Sequence, residues 1–361
     1  MEKLIPFTIH DLARVTNHRS GEVKFGEKMQ VVPRNENPFH YLSVCSADFV
    51  LLGVAEDVGV RANNGRTGAA SAWESALCAI ANIQHNRFGK GDMILVLGQI
   101  DVSAQMEAAH GLNFSDSSER RKLSTLVESI DREVAHVVSV IVRAGKIPII
   151  IGGGHNNAYG NIKGTALAKG KQINAINFDA HSDFRILEGR HSGNGFSYAF
   201  EEGFLKKYFI FGLHENYTAK KVLSRLEKLV DRVQFNTYDE IGIRRERDFE
   251  QEIQRAASFV NEDFYGLEVD LDAIPGVASS AMTLSGFSVE QVRRFITVLG
   301  SHKNACYLHI CEGAPVLGDD KNPQLVGKLI GYLITDFMKA RVPVNSTEKY
   351  LAKQAAKSLK S

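Results

Sequence analysis

Strand-like and helix-like segments alternate along most of this chain, and that order leaves few folds open. Short apolar runs occur at residues 49–54, 93–97, 147–151, 173–178, 208–211, 264–269 and 305–310. Runs that are continuously apolar at this length suit strands buried on both faces. Helical patterns fill most of the gaps. The clearest covers 117–144, where Leu123, Leu126, Val127, Ile130, Val134, Val137, Val138 and Ile141 recur at three- and four-residue spacing. Ser117 and Ser118 are its capping candidates and Gly145 its stop. Shorter helices are expected near 71–83, 218–230, 245–260, 288–300 and 323–340. Such a succession predicts an α/β protein with a mostly parallel sheet covered by helices on both faces.

No internal repeat and no Pro/Ser-rich linker divides the 361 residues, and the 8 prolines are not clustered. One large domain is therefore expected over 46–341, after an N-terminal arm (1–45) and before a basic C-terminal tail (342–361). The tail carries Lys349, Lys353, Lys357 and Lys360, mostly at helical spacing, and reads as a solvated helix or a frayed end. With 43 basic and 42 acidic residues the formal charge is +1, which gives no field to attract nucleic acid or an anionic membrane. Hydrophobic residues make up 44% of the chain, enough for a large core. The opening MEKLIPFTIHDLARV lacks the apolar run of a signal peptide, and no stretch approaches the roughly 18 apolar residues of a membrane helix. Four cysteines without CxxC spacing fit free thiols in a reducing compartment, so a cytoplasmic protein is expected.

Three of the apolar runs end in ionisable residues: IPIIIGGGHNN (147–157), INAINFDAHSD (173–183) and FYGLEVDLD (264–272). Ligand crevices of open α/β sheets lie outside the carboxyl ends of the strands, so His155, Asp179, His181, Asp183, Asp270 and Asp272 are expected to meet there. Alternate residues of extended chain share a face, which aligns Asp270 with Asp272, and Asp179 with His181 and Asp183. Singly, each has an ordinary explanation: a histidine after glycines is commonly structural, and an Asp pair can face solvent. Together, four carboxylates in one crevice repel one another unless a cation joins them. An oxygen-rich set with two imidazoles suits Mn²⁺ better than a thiolate-loving zinc site. The Gly152–Gly154 run lacks the Lys-Ser/Thr of a phosphate loop, and its glycines are read as allowing close backbone approach to the cleft.

At these residues the sequence resembles the ureohydrolase family, the arginase, agmatinase and formimidoylglutamase group. GGGH (152–155), DAHSD (179–183) and EVDLD (268–272) are similar to its signatures, and HICEGAP (309–315) to its glutamate-bearing ending, with Glu312. The likeness runs from about residue 45 to 340. It implies an arginase-like three-layer α/β/α sandwich and a hydrolase of amidine-type C–N bonds. It further implies two Mn²⁺ per chain: His155 and Asp183 on one, His181 and Asp272 on the other, Asp179 and Asp270 bridging. Asp183 would orient the attacking water and receive its proton, and Glu312 would pair with the amidinium.

The stretches GVRANNGRTGAASAWESAL (59–77) and RHSGNGF (190–196) resemble the formimidoylglutamase members. The implied substrate is N-formimidoyl-L-glutamate, cleaved to glutamate and formamide in histidine breakdown. A guanidino compound such as arginine or agmatine, or a metal-binding relative without turnover, are the alternatives. The substrate's carboxylates would need cationic or amide donors, and Arg61, Asn63, Arg66 and Asn194 are the candidates, although salt bridges would also account for the arginines. Phe196 stands where arginases carry a catalytic histidine; His191 either substitutes for it or is structural. Two further departures are Pro275, where an aspartate would stand, and Glu268, where serine is usual. A small-molecule partner and a homotrimer or homohexamer are implied by the resemblance.

Overall fold

A computed structural model describes residues 3–318 and 324–341. The basic tail, 342–361, and the expected helix start at 323 lie outside the described residues. Among the described residues ten strands form one sheet: β1 (Leu4–Pro6), β2 (Gln30–Val31), β3 (Phe49–Gly53), β4 (Ile94–Ile100), β5 (Ile147–Ile151), β6 (Ile173–Phe178), β7 (Leu205–Leu213), β8 (Val233–Thr237), β9 (Tyr265–Asp270) and β10 (Ala305–Cys311). Their order is β1-β4-β3-β5-β10-β9-β6-β7-β8, with β2 also paired to β4. Only the β1–β4 pairing is antiparallel among those described.

Strand residues alternate between two helical layers, which is why the sequence runs were apolar throughout. Leu51, Ile149, Ile151 and Val269 pack with helices Ala72–Ala81, Phe249–Val260, Val289–Gly300 and Leu325–Arg341. Val50, Leu52, Ile150 and Ala175 pack with helices Ser117–Arg143, Asn157–Lys169 and Gly195–Glu201. The result is the expected three-layer α/β/α sandwich. No helix of the described residues is long and apolar enough to cross a membrane.

Every strand expected from the sequence is present, and three were not foreseen. β1 and β2 are two or three residues long, and β8 (VQFNT) is a polar edge strand. Both β1 and β2 come from the first 45 residues and hydrogen-bond to β4, so that stretch belongs to the sheet. The long helix is capped by Asp116 rather than by Ser117 or Ser118. The Asp116 carboxylate accepts from the amides of Ser118 (2.8 Å) and Glu119 (2.9 Å), and a negative charge there also meets the positive helix end. Helix Asn157–Lys169 was missed because it has no polar face: Asn157, Asn161 and Thr165 are as buried as Ala158 and Ile162.

The order of the inner strands matters most for chemistry. The chain leaves β5 and returns three positions away at β6, and β9 and β10 later fill the gap. Four parallel neighbours, β5-β10-β9-β6, therefore end side by side on one edge. Each carries one of the motifs noted above.

Behind that edge a buried ion pair ties helix Ser117–Arg143 to the loop after β6. Arg190 Nε donates to Asp131 Oδ2 at 2.8 Å, with side chains 2% and 3% exposed. Arg190 also donates to the Asn156 carbonyl at 3.0 Å, beside His155. Removing one partner of such a pair strands the other charge in the interior, so Asp131→Ala is expected to lose about 3–5 kcal/mol in denaturant unfolding.

Candidate metal centre

After β5 the backbone turns through Gly152 (φ +88°) and Gly153 (φ +74°), left-handed conformations that side chains rarely adopt. This turn aims His155 into the cleft. Glu56, just past β3 and fully buried, holds it there. Its Oε1 accepts from the Gly154 amide (3.1 Å), Asn156 Nδ2 (3.1 Å) and Asn157 Nδ2 (2.7 Å), and its Oε2 from the Gly59 amide (3.1 Å). Burial pushes its carboxyl up, and these four donors act against that. Glu56 escaped the sequence reading, although a signal was available: β3, too, runs into acids, in Val54-Ala55-Glu56-Asp57.

The six expected ligands come together. His155 Nδ1 lies 2.8 Å from Asp183 Oδ2 and 3.2 Å from both Asp179 Oδ2 and Asp270 Oδ2. His181 Nδ1 lies 3.2 Å from Asp272 Oδ2 and 3.5 Å from Asp179 Oδ1. Three groups have all their ligand atoms within 4.8 Å of one another: His155 with Asp179, Asp183 and Asp270; Asp179 with His181 and Asp272; and, behind the cleft, His155 with His309 and Cys311. The first two hold the expected ligands. Asp179 thus belongs to both groups. Asp270, expected to bridge as well, belongs only to the first.

The donor set fits divalent cations. Burial pushes Asp270 far above the usual carboxylate range, with the charges of Asp272 and Asp179 pushing the same way, and Asp183 is raised by burial and by Asp179. Neither ring nitrogen of His155, nor Asp272 Oδ1, completes a hydrogen bond. Carboxylate oxygens and imidazoles suit a metal of the Mn²⁺ type, and burial pushes the neighbouring Cys311 thiol up, away from the thiolate form.

A cavity of about 360 Å³ opens over these groups, bordered by Asn63, Arg185, Tyr217, Ser280 and Glu312. The Tyr217 ring stacks on His181 at 5.4 Å. Glu312 Oε1 accepts from the His155 amide at 2.8 Å, and its other oxygen accepts from the Ser280 hydroxyl. Burial pushes Glu312 up to about 8; Asp272 and Asp183 add to the rise, and the two hydrogen bonds oppose it. Asp183 (φ +44°) and Glu312 (φ +60°) are both left-handed without being glycine, a strain that folded chains keep mainly at functional sites.

The other sequence candidates divide. Asn63 borders the cavity, its Oδ1 accepting from Arg185 Nη1 at 2.8 Å. Arg61 and Arg66 instead border a neighbouring cavity of about 590 Å³. Arg66 reaches back to donate to the carbonyls of Ser279 (3.2 Å) and Ser280 (3.1 Å), so it braces the loop that carries Ser280. The guanidinium at the metal cavity is that of Arg185, two residues beyond DAHSD, which the sequence reading passed over. His191 is buried in its own loop: Nδ1 accepts from the Gly193 amide at 3.1 Å and Nε2 lies 3.3 Å from Glu188. Burial and the nearby Arg185 charge lower it to about 4. Asn194 is also buried, accepting from Arg190 Nη1 (2.5 Å) and the His191 amide (3.1 Å) and donating to the Gly189 carbonyl (2.8 Å). Neither His191 nor Asn194 borders the metal cavity.

Comparison with known proteins gives the same picture. The arginase family model matches residues 47–335. A formimidoylglutamase from Macrococcus caseolyticus is 28% identical over 301 residues, which are 80% of this chain and 84% of that one. One from Klebsiella pneumoniae is 35% identical over 151 residues, 41% of this chain and 40% of its own. Among solved structures, formimidoylglutamase from Bacillus subtilis superposes with a TM-score of 0.70 at 17% identity, covering 90% of this chain and 94% of that one. Formiminoglutamase from Trypanosoma cruzi with Mn²⁺ gives 0.66 at 17% identity, covering 89% and 100%. Fold, site and relatives together define an enzyme class, hydrolases acting on the C–N bonds of linear amidines. The chain belongs to the arginase family.

Membership of Asp179 in both ligand groups gives a test. Asp179→Asn is expected to bring bound metal close to zero, whereas His155→Asn loses one site and keeps most of the other. Elemental analysis after Mn²⁺ loading and desalting measures both, and full occupancy in Asp179→Asn would contradict the shared-ligand arrangement.

Proposed function

We propose that this hydrolase cleaves N-formimidoyl-L-glutamate to L-glutamate and formamide, a step of histidine breakdown, at a centre of two Mn²⁺ ions. The observation that carries the reading is one cavity combining three features: the two ligand groups, a buried carboxylate at Glu312, and a guanidinium at its rim. The names of the relatives above and the Mn²⁺ of the T. cruzi structure support it. His155, Asp179, His181, Asp183, Asp270 and Asp272 would hold the metal. When bound, a pair of divalent ions supplies a water ionised near neutral pH and offsets negative charge that develops during attack.

The chain's own groups do the rest. Glu312 pairs with the substrate's amidinium, and that cation draws the carboxyl back from its raised value toward the ionised form. Ser280 and the His155 amide keep the carboxylate from turning away. The amidine carbon is thereby held over the aspartates. Asp183, buried in the first ligand group, orients the attacking water, takes its proton, and returns a proton to the departing amine nitrogen. Arg185, steadied by Asn63, meets a substrate carboxylate at the rim.

An assay after Mn²⁺ loading separates the substrates: formamide release from formimidoylglutamate is expected, and urea release from arginine or agmatine without formamide would replace this reading. Glu312→Gln keeps the size of the side chain and removes its charge. It is expected to retain metal and lose about 2–4 kcal/mol of transition-state stabilisation, the scale of one preorganised electrostatic contact. Arg185→Ala is expected to raise KM for formimidoylglutamate while leaving kcat, and any turnover of agmatine, little changed. Equal damage to both substrates would show that Arg185 supports the loop and does not read a carboxylate.

A further inference from the structure

One fully buried acid beside the centre belongs to neither ligand group. Glu268 lies on β9, directly opposite His309 of β10 in the sheet register, and Tyr307 is two residues earlier on that strand. All three are 0% exposed. Tyr307 Oη donates to Glu268 Oε1 at 2.7 Å, and His309 Nδ1 lies 2.5 Å from Glu268 Oε2. His309 Nε2 faces the Gly152 carbonyl at 3.4 Å, which links this cluster to the turn that aims His155. These contacts leave the glutamate little freedom.

The same Oε2 lies 3.6 Å from His155 Nε2. His155 turns Nδ1 toward Asp179, Asp183 and Asp270, so Nδ1 is the atom offered to a metal and Nε2 must carry the ring proton. That buried N–H completes no hydrogen bond; Glu268 is the carboxylate it faces, and the Cys311 thiol, which burial pushes up, lies against the same ring. Serine, usual at this position by the resemblance, would end two bonds short of that oxygen.

We infer that Glu268 is a positioning residue: clamped by Tyr307 and His309, its carboxylate stands 3.6 Å from His155 Nε2 and, by that charge contact, favours the proton on Nε2, fixing the tautomer and strengthening Nδ1 as a ligand. This rests on the reading of His155 as a metal ligand. A carboxylate behind a ligating imidazole makes the ring more basic and holds its plane. Glu268 touches neither substrate nor metal in this role. Its effect therefore falls on the His155 group and spares the His181 group, a split that general damage to the fold would not produce.

The test is a Mn²⁺ titration of chelator-stripped protein followed by calorimetry, with wild type, Glu268→Gln and Tyr307→Phe. In Glu268→Gln the amide keeps the size of the side chain but removes its charge, so the contact behind His155 is weakened. The expected result is a loss of roughly 10–100-fold in affinity at one of two sites, as for other outer partners of metal ligands, with the second site and the metal-free melting temperature little moved. Tyr307→Phe leaves the carboxylate in place but frees one oxygen, and a smaller loss at the same site is expected; it also serves if Glu268→Gln does not fold. Unchanged affinity at both sites, or equal weakening of both, overturns the inference while leaving the metal centre standing. A wild-type protein that binds no Mn²⁺ overturns the metal centre itself.

Discussion

Acids concentrated at one end of a parallel sheet are the constraint around which this protein is organised. Glu56, Asp179, Glu268, Asp270, Asp272 and Glu312 are all buried there, with Asp183 nearly so, in a chain whose formal charge is only +1. Each would be costly alone in the interior, and the protein treats them in different ways. Glu56 has four donors on its two oxygens, and Glu268 has Tyr307 and His309. Glu312 has two donors and faces the cavity. The four aspartates face one another and two imidazoles; Asp179 also accepts from Asn177 Nδ2 and the His181 amide, and Asp270 from the Asp272 amide. What separates a structural acid from a ligand here is therefore its company: the structural acids sit among donors, whereas the aspartates sit among other carboxylates, and burial with mutual repulsion pushes Asp183 and Asp270 up.

The strand order makes the concentration possible. No single segment supplies more than three of the ligands, and they meet because β9 and β10 enter between β5 and β6. The parallel direction of these four strands puts all four carboxyl ends on one edge, where backbone leaves the sheet and side chains can turn inward. Residue spacing does the remainder: Asn177 and Asp179, and Glu268 and Asp270, stand two apart in extended chain, so the layer beneath these ligands is polar as well.

Much of this was legible in the sequence, and what was not has physical reasons. Apolar runs bounded by glycines and charges identify strands buried on both faces, and six ligands at three strand ends could be named because their chemistry is local to each motif. Contacts across the chain left no such trace. Arg66 and Arg185 are both arginines in loops near the site, and only the path of the chain sends one to the metal cavity and the other to the carbonyls of Ser279 and Ser280. His191 could from sequence be a substitute for the missing histidine or structural, and its ring nitrogens face Gly193 and Glu188 within its own turn. Helix Asn157–Lys169 hid because periodicity detects amphipathic helices, and this one is enclosed.

The groups that hold the centre are distinct from those offered to metal, and this sets how folding and metal binding are linked. Segment 154–157 is gripped through Glu56 on one side and through Arg190, which Asp131 anchors, on the other. None of these contacts uses a ligand atom of His155 or of the aspartates. Sites of this kind have their geometry before the ion arrives, so little ordering remains to be done on binding. The linkage rule then separates two kinds of change. Loss of a holder such as Asp131 lowers the stability of the metal-free chain and weakens metal binding only as far as His155 moves. Loss of a ligand such as Asp270, which burial and the charges of Asp272 and Asp179 push upward, weakens metal binding and, by relieving repulsion among buried acids, leaves the metal-free fold as stable as before or more so. A marked drop in metal-free melting temperature for Asp270→Asn would show that holders and ligands are not separate after all.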